Sequence, residues 1–209
     1  MRRRLWPLLV AALALLAAVF LALLARDVQR WERSLDTGDR RFAIAPGPAD
    51  LWEPQARLIP GVSRKLLAID DDLGFRQAAQ LFRRSRPRAA AQRTQADLAT
   101  AASAHAALTS VERGDDDPAR QAAAASALGI LNLSDALSDS TQAALLFRKS
   151  VAKFNKAIRL DPENREAAAN LELVLRLAQA VQSRVEAEEG ARGAGSSAGA
   201  GSGSGGSGF

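Results

Sequence analysis

The sequence predicts an all-α protein, and three observations support this. Alanine and leucine dominate the 209 residues, tyrosine and cysteine are absent, and aromatic residues make up only 5%, a composition that favours packed helices over a sheet. One uncharged run near the N-terminus is long enough to cross a bilayer, and later segments place apolar residues at helical spacing. We therefore expect a transmembrane helix, a small domain of antiparallel helical hairpins and a disordered tail.

The charge balance is mildly basic. The chain has 28 Lys and Arg residues against 23 Asp and Glu residues, a net charge of +5. This surplus fits a position beside anionic lipid, where each basic residue contributes roughly 1 kcal/mol, and it does not by itself indicate nucleic-acid binding. Because cysteine is absent, disulfides, cysteine-ligated metals and thiol chemistry are excluded, but the compartment stays open.

Residues 1–35 are predicted to form a membrane anchor. The span from Leu5 to Ala25 holds 21 residues without a charge and would be about 31 Å long as a helix, which matches one bilayer crossing. A cleaved signal peptide is the alternative. Its apolar part usually covers only about 7–15 residues and ends in small residues, whereas Leu23 lies two residues before Ala25.

The flanks of the span bear on its surroundings and orientation. Trp6 and Trp31 bracket it, and Trp31 either lies at the lipid headgroups or packs on the following domain. Arginines lie on both sides, at positions 2, 3 and 4 before the span and at 26, 30 and 33 after it. Since a short basic tail next to a first span normally stays in the cytoplasm, we expect a cell-membrane protein with a cytoplasmic N-terminus and an extracytoplasmic helical domain.

The rest of the chain divides into a linker, a helical domain and a tail. Residues 36–61 carry four prolines and no helical period, so we expect an extended linker. Residues 62–189 should form the helical domain. Positions 190–209 contain nine Gly, five Ser and four Ala, a composition with no apolar surface to bury, which predicts disorder.

Five helices are expected in the domain, at 62–85, 88–112, 118–133, 140–160 and 164–188, separated by proline, glycine and polar segments. The last two have the clearest periodicity. One face of the fourth helix carries Phe147, Val151, Phe154 and Ile158, and one face of the fifth carries Leu171, Val174, Ala178, Val181 and Val185. The short joint at Asp161 and Pro162 makes the two helices antiparallel neighbours.

A known repeat pattern accompanies this helix pair. Leu128 and Gly129 form a dipeptide that is followed by Phe154, Ala157 and Pro162, and then by Leu171. With these residues the segment 126–175 resembles a tetratricopeptide repeat, whose 34-residue pattern pairs a Leu-Gly helix with a second helix that ends in proline.

The segment departs from the pattern in three ways. Leu128 and Pro162 lie about nine residues further apart than in a standard repeat, which predicts an insertion at the polar segment 134–140 (SDALSDS). Ser150 stands where the pattern has alanine, and Ala125 and Asn132 stand where it has tryptophan and tyrosine. The resemblance implies that small residues let the helices approach while Phe147 and Phe154 fill the gap, and that stacked pairs form a concave face for a partner.

The whole layout also resembles a family. A basic N-terminal tail, one span and the closing segment FNKAIRLDPENREAAANLELVLRL are similar to the small membrane-anchored repeat proteins of actinobacteria. Those proteins occur beside MoxR-type ATPases and von Willebrand A-domain proteins, in systems similar to the Bacteroides aerotolerance set. The resemblance implies a role in a cell-envelope assembly.

Residues that could carry chemistry give no support for an enzyme. His105 has no cysteine or acidic residue three or four positions away, which favours an ordinary surface histidine. The aspartate runs 70–72 and 115–117 lack the alternating ligands of a calcium loop and are better interpreted as solvated or helix-capping charge. Because phosphate loops, nucleophile elbows and zinc spacings are also absent from the sequence, we expect no catalytic residue, cofactor, metal or small-molecule substrate.

Two groups of basic residues remain as candidate surfaces. Lys149, Lys153 and Lys156 line one helix face, and Arg83, Arg84, Arg86, Arg88 and Arg93 crowd around Pro87. Neither group has interleaved aromatic residues, so an ordinary solvent face is the favoured interpretation of each.

The sequence therefore predicts a membrane-tethered helical adaptor that binds another protein through a repeat-like groove, with the lysines as candidate contacts. The alternative is an electrostatic binder that holds anionic lipid or nucleic acid through the arginines, and nucleic acid is the less favoured of these two ligands.

Overall fold

The computed structural model describes residues 2–45, 47–48, 50–52, 69–85 and 94–197. Within those residues every regular element is a helix, as predicted: α1 (Arg2–Ile44), α2 (Ile69–Ser85), α3 (Gln95–Gly114), α4 (Pro118–Ser138), α5 (Ala143–Leu160) and α6 (Arg165–Ser197). The chain forms two compact units, Met1–Ala127 and Leu128–Phe209. The boundary falls inside α4.

The first half of α1 is apolar and uncovered. Every residue from Val10 to Leu23 is exposed, and Leu13, Leu15 and Leu16 keep 70%, 67% and 68% of their surface. Its best 18-residue window has a mean hydropathy of 2.1, so the helix is long and apolar enough to cross a membrane. Such a surface is stable only against lipid or another apolar neighbour.

The second half of α1 is packed along one side. Asp27, Trp31 and Gly38 are buried, and Leu35 and Phe42 are half-buried, at the spacing of one helix face. Residues 36–44, predicted as extended linker, are therefore helical. Packing of one face explains the difference, since a segment with weak helical pattern forms a helix when its contacts stabilise it.

A buried apolar cluster joins α1 to the turn at residues 50–52 and to α2. It consists of Trp31, Leu51, Trp52, Ile69 and Leu73. Trp31 is only 2% exposed, so it packs in protein and does not lie at the lipid headgroups. Gly38 permits the contact with the turn, because a Cβ at this position would lie 2.4 Å from Cδ1 of Trp52 and 2.6 Å from the backbone oxygen of Leu51.

The helices α2 and α3 pack against each other and have well-matched ends. α2 carries aspartates 70–72 in its first turn and arginines 83 and 84 in its last, charges that favour the helix dipole. At the start of α3, Thr94 Oγ1 accepts a hydrogen bond from the backbone N–H of Asp97, whose carboxylate accepts one from the N–H of Thr94 at 2.9 Å. This is a capping box. The start predicted at 62 lies outside the described residues. The helix predicted from 88 begins only at Gln95, because Thr94 is extended and caps it.

The side chain of Asp117 caps a helix, as its favoured interpretation predicts, whereas Asp115 is only 4% exposed and pairs with Arg120, so the prediction of solvated charge is wrong for Asp115. The backbone N–H of Asp115 donates to the carbonyl of Val111 at 3.1 Å and closes α3. Asp117 Oδ1 accepts from the N–H of Ala119 at 2.8 Å and opens α4, whose first residue is Pro118.

α4 is longer than predicted. It continues to Ser138, so residues 134–138 of the expected insertion are helical, and only 139–142 separate α4 from α5. The physical reason is burial, because Ala136 is 4% exposed and holds this last turn against the core.

α5 and α6 pack against each other across a short joint, as the periodicity predicts. The N–H of Asp161 donates to the carbonyl of Ala157 at 2.9 Å and closes α5. Asn164 Oδ1 accepts from the N–H of Ala167 at 2.9 Å and opens α6. Pro162 lies between these two caps, where its missing N–H removes no helical bond.

The buried faces of α5 and α6 differ partly from the predicted ones. The buried stripe of α5 is Ala143, Phe147, Ser150, Phe154 and Ala157, with Val151 and Ile158 half-buried beside it. On α6, Ala167 and Val174 are buried, and Leu171 and Ala178 are half-buried.

The end of α6 departs further from prediction. Val181, expected on the buried face, is 39% exposed, because it lies level with the first turn of α5, where the packed length of the two helices ends. α6 has 33 residues and α5 only 18, so the rest of α6 extends beyond α5. Residues 190–197, predicted to be disordered, continue α6. Extension adds one hydrogen bond per residue once a helix exists. The side chain of Val185 and residues 198–209 lie outside the described residues.

Candidate functional site

Gly129 of α4 lies directly against Phe154 of α5. A Cβ at Gly129 would come within 2.8 Å of Cε1 and Cζ of the Phe154 ring, so the ring can take this position only beside glycine. Ser150 is fully buried next to them, and its Oγ donates a 2.8 Å hydrogen bond to the carbonyl oxygen of Gly129. Three positions of the repeat-like pattern thus meet in one contact. The hydroxyl of Ser150 gains a bond that alanine could not make.

Four of the five other predicted repeat residues of Leu128–Phe209 are buried or half-buried on its helices. Leu128, Phe147 and Ala157 are 1%, 4% and 0% exposed, Leu171 is half-buried, and Pro162 is exposed in the joint. The buried and half-buried residues of this set hold helices together and offer little surface to a partner. Among the residues of this unit whose side chains the structure describes, the large apolar residues that remain exposed are Leu137, Leu145, Leu173, Leu175 and Val181.

The predicted lysine stripe is only partly on the surface. Lys149 is exposed, whereas Lys153 and Lys156 are half-buried. A half-buried lysine lays its aliphatic stem along the protein and keeps its ammonium group near water. Of the three, Lys149 is therefore the most accessible contact for a partner.

The arginines of the predicted cluster differ in their surroundings, and some of them lie outside the described residues. The Arg83 guanidinium donates a 3.1 Å hydrogen bond to the carbonyl oxygen of Phe42 and lies 4.9 Å from the centre of the Phe42 ring. Arg84 is exposed. Arg86, Arg88 and Arg93 lie outside the described residues. Because Arg83 already holds α1, its removal would disturb packing as well as surface charge.

The sequence prediction missed a set of ion pairs in Met1–Ala127. Arg76 of α2 makes a two-pronged contact with Asp39 of α1, with its Nε 2.9 Å from Oδ1 and its Nη2 3.0 Å from Oδ2, and it also pairs with Asp72. The indole N–H of Trp52 donates to Asp39 Oδ1 at 2.8 Å. Hydrogen bonding by Arg76 lowers the pKa of Asp39, partial burial opposes this, and the Trp52 indole lowers it further.

A second arginine lies between two aspartates at the start of α4. Arg120 Nε and Nη2 both reach Asp115 at 2.8 Å, and its Nη1 lies 3.4 Å from Asp117. The hydrogen bond from Arg120 lowers the pKa of Asp115 against the opposing effect of burial. The same partner raises the pKa of Arg120, so both groups stay charged over the usual pH range.

These two ion-pair groups border one open cleft of about 400 Å³ within Met1–Ala127. The aromatic rings of Phe42, Trp52 and Phe75 line it together with Ala79. Its charged lining consists of Asp39, Asp72, Asp117, Arg76 and Arg120. Aromatic surface combined with a few fixed charges is typical of a binding pocket.

The arrangement is suited to binding. No nucleophile with an adjacent base is assembled in the cleft lining. Among the residues that the structure describes, no group of three or more histidine, aspartate or glutamate side chains could hold a metal ion.

One ion pair of the cleft could have been recognised from the sequence. Asp72 and Arg76 are four residues apart, the spacing of an ion pair on a helix. Asp39 and Trp52 lie in the proline-rich segment 36–61, which has no period, so no local signal connects them to Arg76.

Comparison with known proteins gives no match for this chain among family models, curated proteins or solved structures. Functional inference therefore rests on the geometry and on the sequence pattern.

Proposed function

We propose that the chain is a single-pass, membrane-tethered helical adaptor that binds another protein in the cell envelope. The observation that carries the proposal is the division of α1. This one helix is apolar and uncovered from Val10 to Leu23 and packed into protein from Asp27 to Phe42. The first part suits lipid, and the second places helices beside it.

The tether is short and stiff. Asp39 lies roughly 21 Å beyond Ala25 along a continuous helix, and Gly38, Phe42 and Trp31 fix that helix to the turn at residues 50–52 and to α2. An adaptor of this kind positions its first unit at a set height above the bilayer.

The unit Leu128–Phe209 supplies the proposed partner surface. Its interior contact between Gly129, Ser150 and Phe154 supports the likeness to a repeat, in which stacked helices present outer faces to partners. Leu173, Leu175 and Val181 of α6 remain 48%, 45% and 39% exposed. Leu173 and Leu175 lie on nearly opposite sides of the helix, so each side offers a partner an apolar contact.

The resemblance of the sequence to membrane-anchored repeat proteins gives the proposal its candidate partners, a MoxR-type ATPase and a von Willebrand A-domain protein. The basic tail formed by arginines 2, 3 and 4 favours a cytoplasmic N-terminus and an extracytoplasmic helical domain. Reporter fusions at each end test this orientation, and a cytoplasmic reporter signal from the C-terminal fusion would reverse it.

The tether is tested by the double substitution Leu15→Arg and Leu16→Arg. Each arginine near the centre of a spanning helix costs about 2.5–3.5 kcal/mol, so the protein should move from the alkali-washed membrane pellet to the soluble fraction. Leu98→Arg is the matched control, because Leu98 of α3 is also exposed, at 47%. Retention of the double variant in the membrane would refute the tether.

The partner surface is tested with a photo-crosslinking amino acid placed at Leu173, Leu175 or Val181, in cells that contain the candidate ATPase and von Willebrand A-domain protein. We expect a crosslink to one of these two proteins from the α6 positions and none from Leu98. Equal labelling from Leu98 would show that α6 is not a specific contact surface.

A further inference from the structure

The cleft in Met1–Ala127 has a chemistry that the adaptor proposal does not use. It is lined by three carboxylates, from Asp39, Asp72 and Asp117, and by two guanidinium groups, from Arg76 and Arg120. The lining is therefore net negative by one charge. Two neighbours leave this balance unchanged, because Asp115 pairs with Arg120 behind the wall and Arg83 lies against the Phe42 ring.

Both arginines are already neutralised by the chain itself. Arg76 directs its Nε and Nη2 at Asp39 and its Nη1 at Asp72. Arg120 directs its Nε and Nη2 at Asp115 and its Nη1 towards Asp117. An incoming anion would have to displace these contacts and face the carboxylates.

The carboxylates keep room for another donor. The side chains of Asp39, Asp72 and Asp117 are 47%, 32% and 40% exposed. Each carboxylate has about four acceptor positions, and the hydrogen bonds of this network occupy only some of them. The open side of the cleft therefore presents hydrogen-bond acceptors with negative charge.

The aromatic lining is attractive to cations, and the molecule itself contains an example. The Arg83 guanidinium lies 4.9 Å from the centre of the Phe42 ring, a cation–π contact. Phe42 lies against Trp52, with ring centres 5.5 Å apart, and Phe75 lines the same cleft. The long aliphatic stem of a basic side chain would pack on such rings while its charged end reaches the aspartates.

We propose that this cleft binds an arginine or lysine side chain from a basic segment of a partner protein. The occupant combines an apolar stem with a cationic end, which matches the aromatic lining and the carboxylates. The cleft volume of about 400 Å³ is at the lower end of the range for small-ligand pockets, which suits a single side chain with its adjoining backbone. This surface is separate from the α6 surface and does not depend on it.

The binding test uses the full chain in detergent micelles with 5-fluorotryptophan at its three tryptophan positions. Trp52 donates to Asp39 and lines the cleft, so its ¹⁹F signal reports on occupancy. The probes are the capped peptides Ala-Arg-Ala and Ala-Lys-Ala, with Ala-citrulline-Ala as the neutral match and Ala-Glu-Ala as the acidic one. We expect saturable shifts of the Trp52 signal with the two basic peptides only.

Variants of the wall locate the binding. Asp72→Asn and Asp117→Asn each remove a charge with little change of shape and should weaken the arginine peptide about tenfold, since a hydrogen bond to a charged group is worth about one such factor. Asp139→Asn, in the other unit, should leave the affinity unchanged. If a wall variant fails to fold, Ala79→Phe, which fills the cleft with an apolar ring, should abolish the shift instead.

Four outcomes would overturn the proposal. The citrulline peptide could shift Trp52 as strongly as the arginine peptide, or the glutamate peptide could bind more tightly. Calcium alone could give the same saturable shift, which would assign the carboxylates to a metal. Finally, an unchanged affinity in well-folded Asp72→Asn, Asp117→Asn and Ala79→Phe proteins would place the basic peptide elsewhere.

Discussion

Each unit of the molecule contains a glycine pressed against an aromatic ring, but the two contacts differ in what could move. At Gly38 in Met1–Ala127, a Cβ would meet the ring of Trp52 at 2.4 Å and the backbone oxygen of Leu51 at 2.6 Å. At Gly129 in Leu128–Phe209, the nearest atoms within reach all belong to the Phe154 ring, at 2.8 to 3.0 Å. A ring can tilt, whereas a turn fixed at several points cannot easily shift.

The two glycine contacts differ in how many other interactions fix the atoms that a methyl group would meet. Gly129 lies where α4 packs on the Phe154 ring of α5. Gly38 receives a turn whose position is also set by the Ser34 hydroxyl, which donates to the carbonyl of Trp52 at 2.9 Å, and by Asp39, which accepts from the Trp52 indole at 2.8 Å. A methyl group added at Gly38 would therefore strain several hydrogen bonds of the turn. A methyl group added at Gly129 would displace only the Phe154 side chain.

The largest expected effect is that of Gly38→Ala. Overpacking of a fixed contact costs about 1–3 kcal/mol or more, and the gain of about 1 kcal/mol from replacing glycine in a helix offsets only part of it. We expect a net loss of about 2 kcal/mol in the stability of Met1–Ala127. All three tryptophans precede residue 53, so denaturation followed by tryptophan fluorescence reports on this unit.

Gly74→Ala is the matched control. Gly74 lies inside α2, and a Cβ there would meet nothing within 4 Å. This substitution should stabilise the protein by about 0.5–1 kcal/mol through helix propensity alone. If Gly38→Ala also stabilised the protein, the close packing of α1 on the turn would be disproved.

A smaller loss, about 1 kcal/mol, is expected for Gly129→Ala, since the Phe154 ring can move. Hydrogen exchange measured by mass spectrometry should show faster exchange of the α5 amides. The double variant Gly129→Ala with Phe154→Leu should lose less stability than the two single variants together, because the shorter side chain makes room for the methyl group. Strict additivity would show that glycine and ring do not constrain each other.

Much of the fold could be predicted because its signals are local. An uncharged run marked the exposed half of α1, and the proline joint together with the spacing of Phe147 and Phe154 marked the pairing of α5 with α6. The helical second half of α1 could not be predicted in the same way. Its buried face includes Trp31 and Gly38, which pack against a turn that only folding brings beside them.

The candidate sites also differ in whether a local sequence pattern predicts them. The resemblance to a repeat led us to expect that small residues such as Gly129 would let the helices approach and that Phe154 would fill the gap, so this contact was predictable as packing. The cleft was not, because Asp39 and Arg76 are far apart in the chain and Asp39 lies in a segment that the sequence marks only as proline-rich. Ion pairs between residues far apart in the chain produce no periodic pattern and no motif, so the sequence does not predict them.

The smallest expected effect is on the acid dependence of stability, and it sharpens the description of the contact between α1 and the turn in Met1–Ala127. Arg76 lowers the pKa of Asp39 below its ordinary value of 3.8. The stabilising contribution is therefore fully present above that pH and is lost as the pH falls below 3.8 through the lowered pKa. Because Asp39 is half exposed, solvent screening keeps the effect below about 1 kcal/mol.

Asp39→Asn should lower the stability at neutral pH by this amount and flatten its acid dependence, as measured by tryptophan fluorescence in urea at several pH values. Asp36→Asn is the control, because the pair of Asp36 with Arg40 is on the solvent side of α1, with side chains 68% and 79% exposed. An equal change in both variants would mean that Asp39 acts only as general surface charge and that its contact with Arg76 and Trp52 does not help to hold α1 on α2.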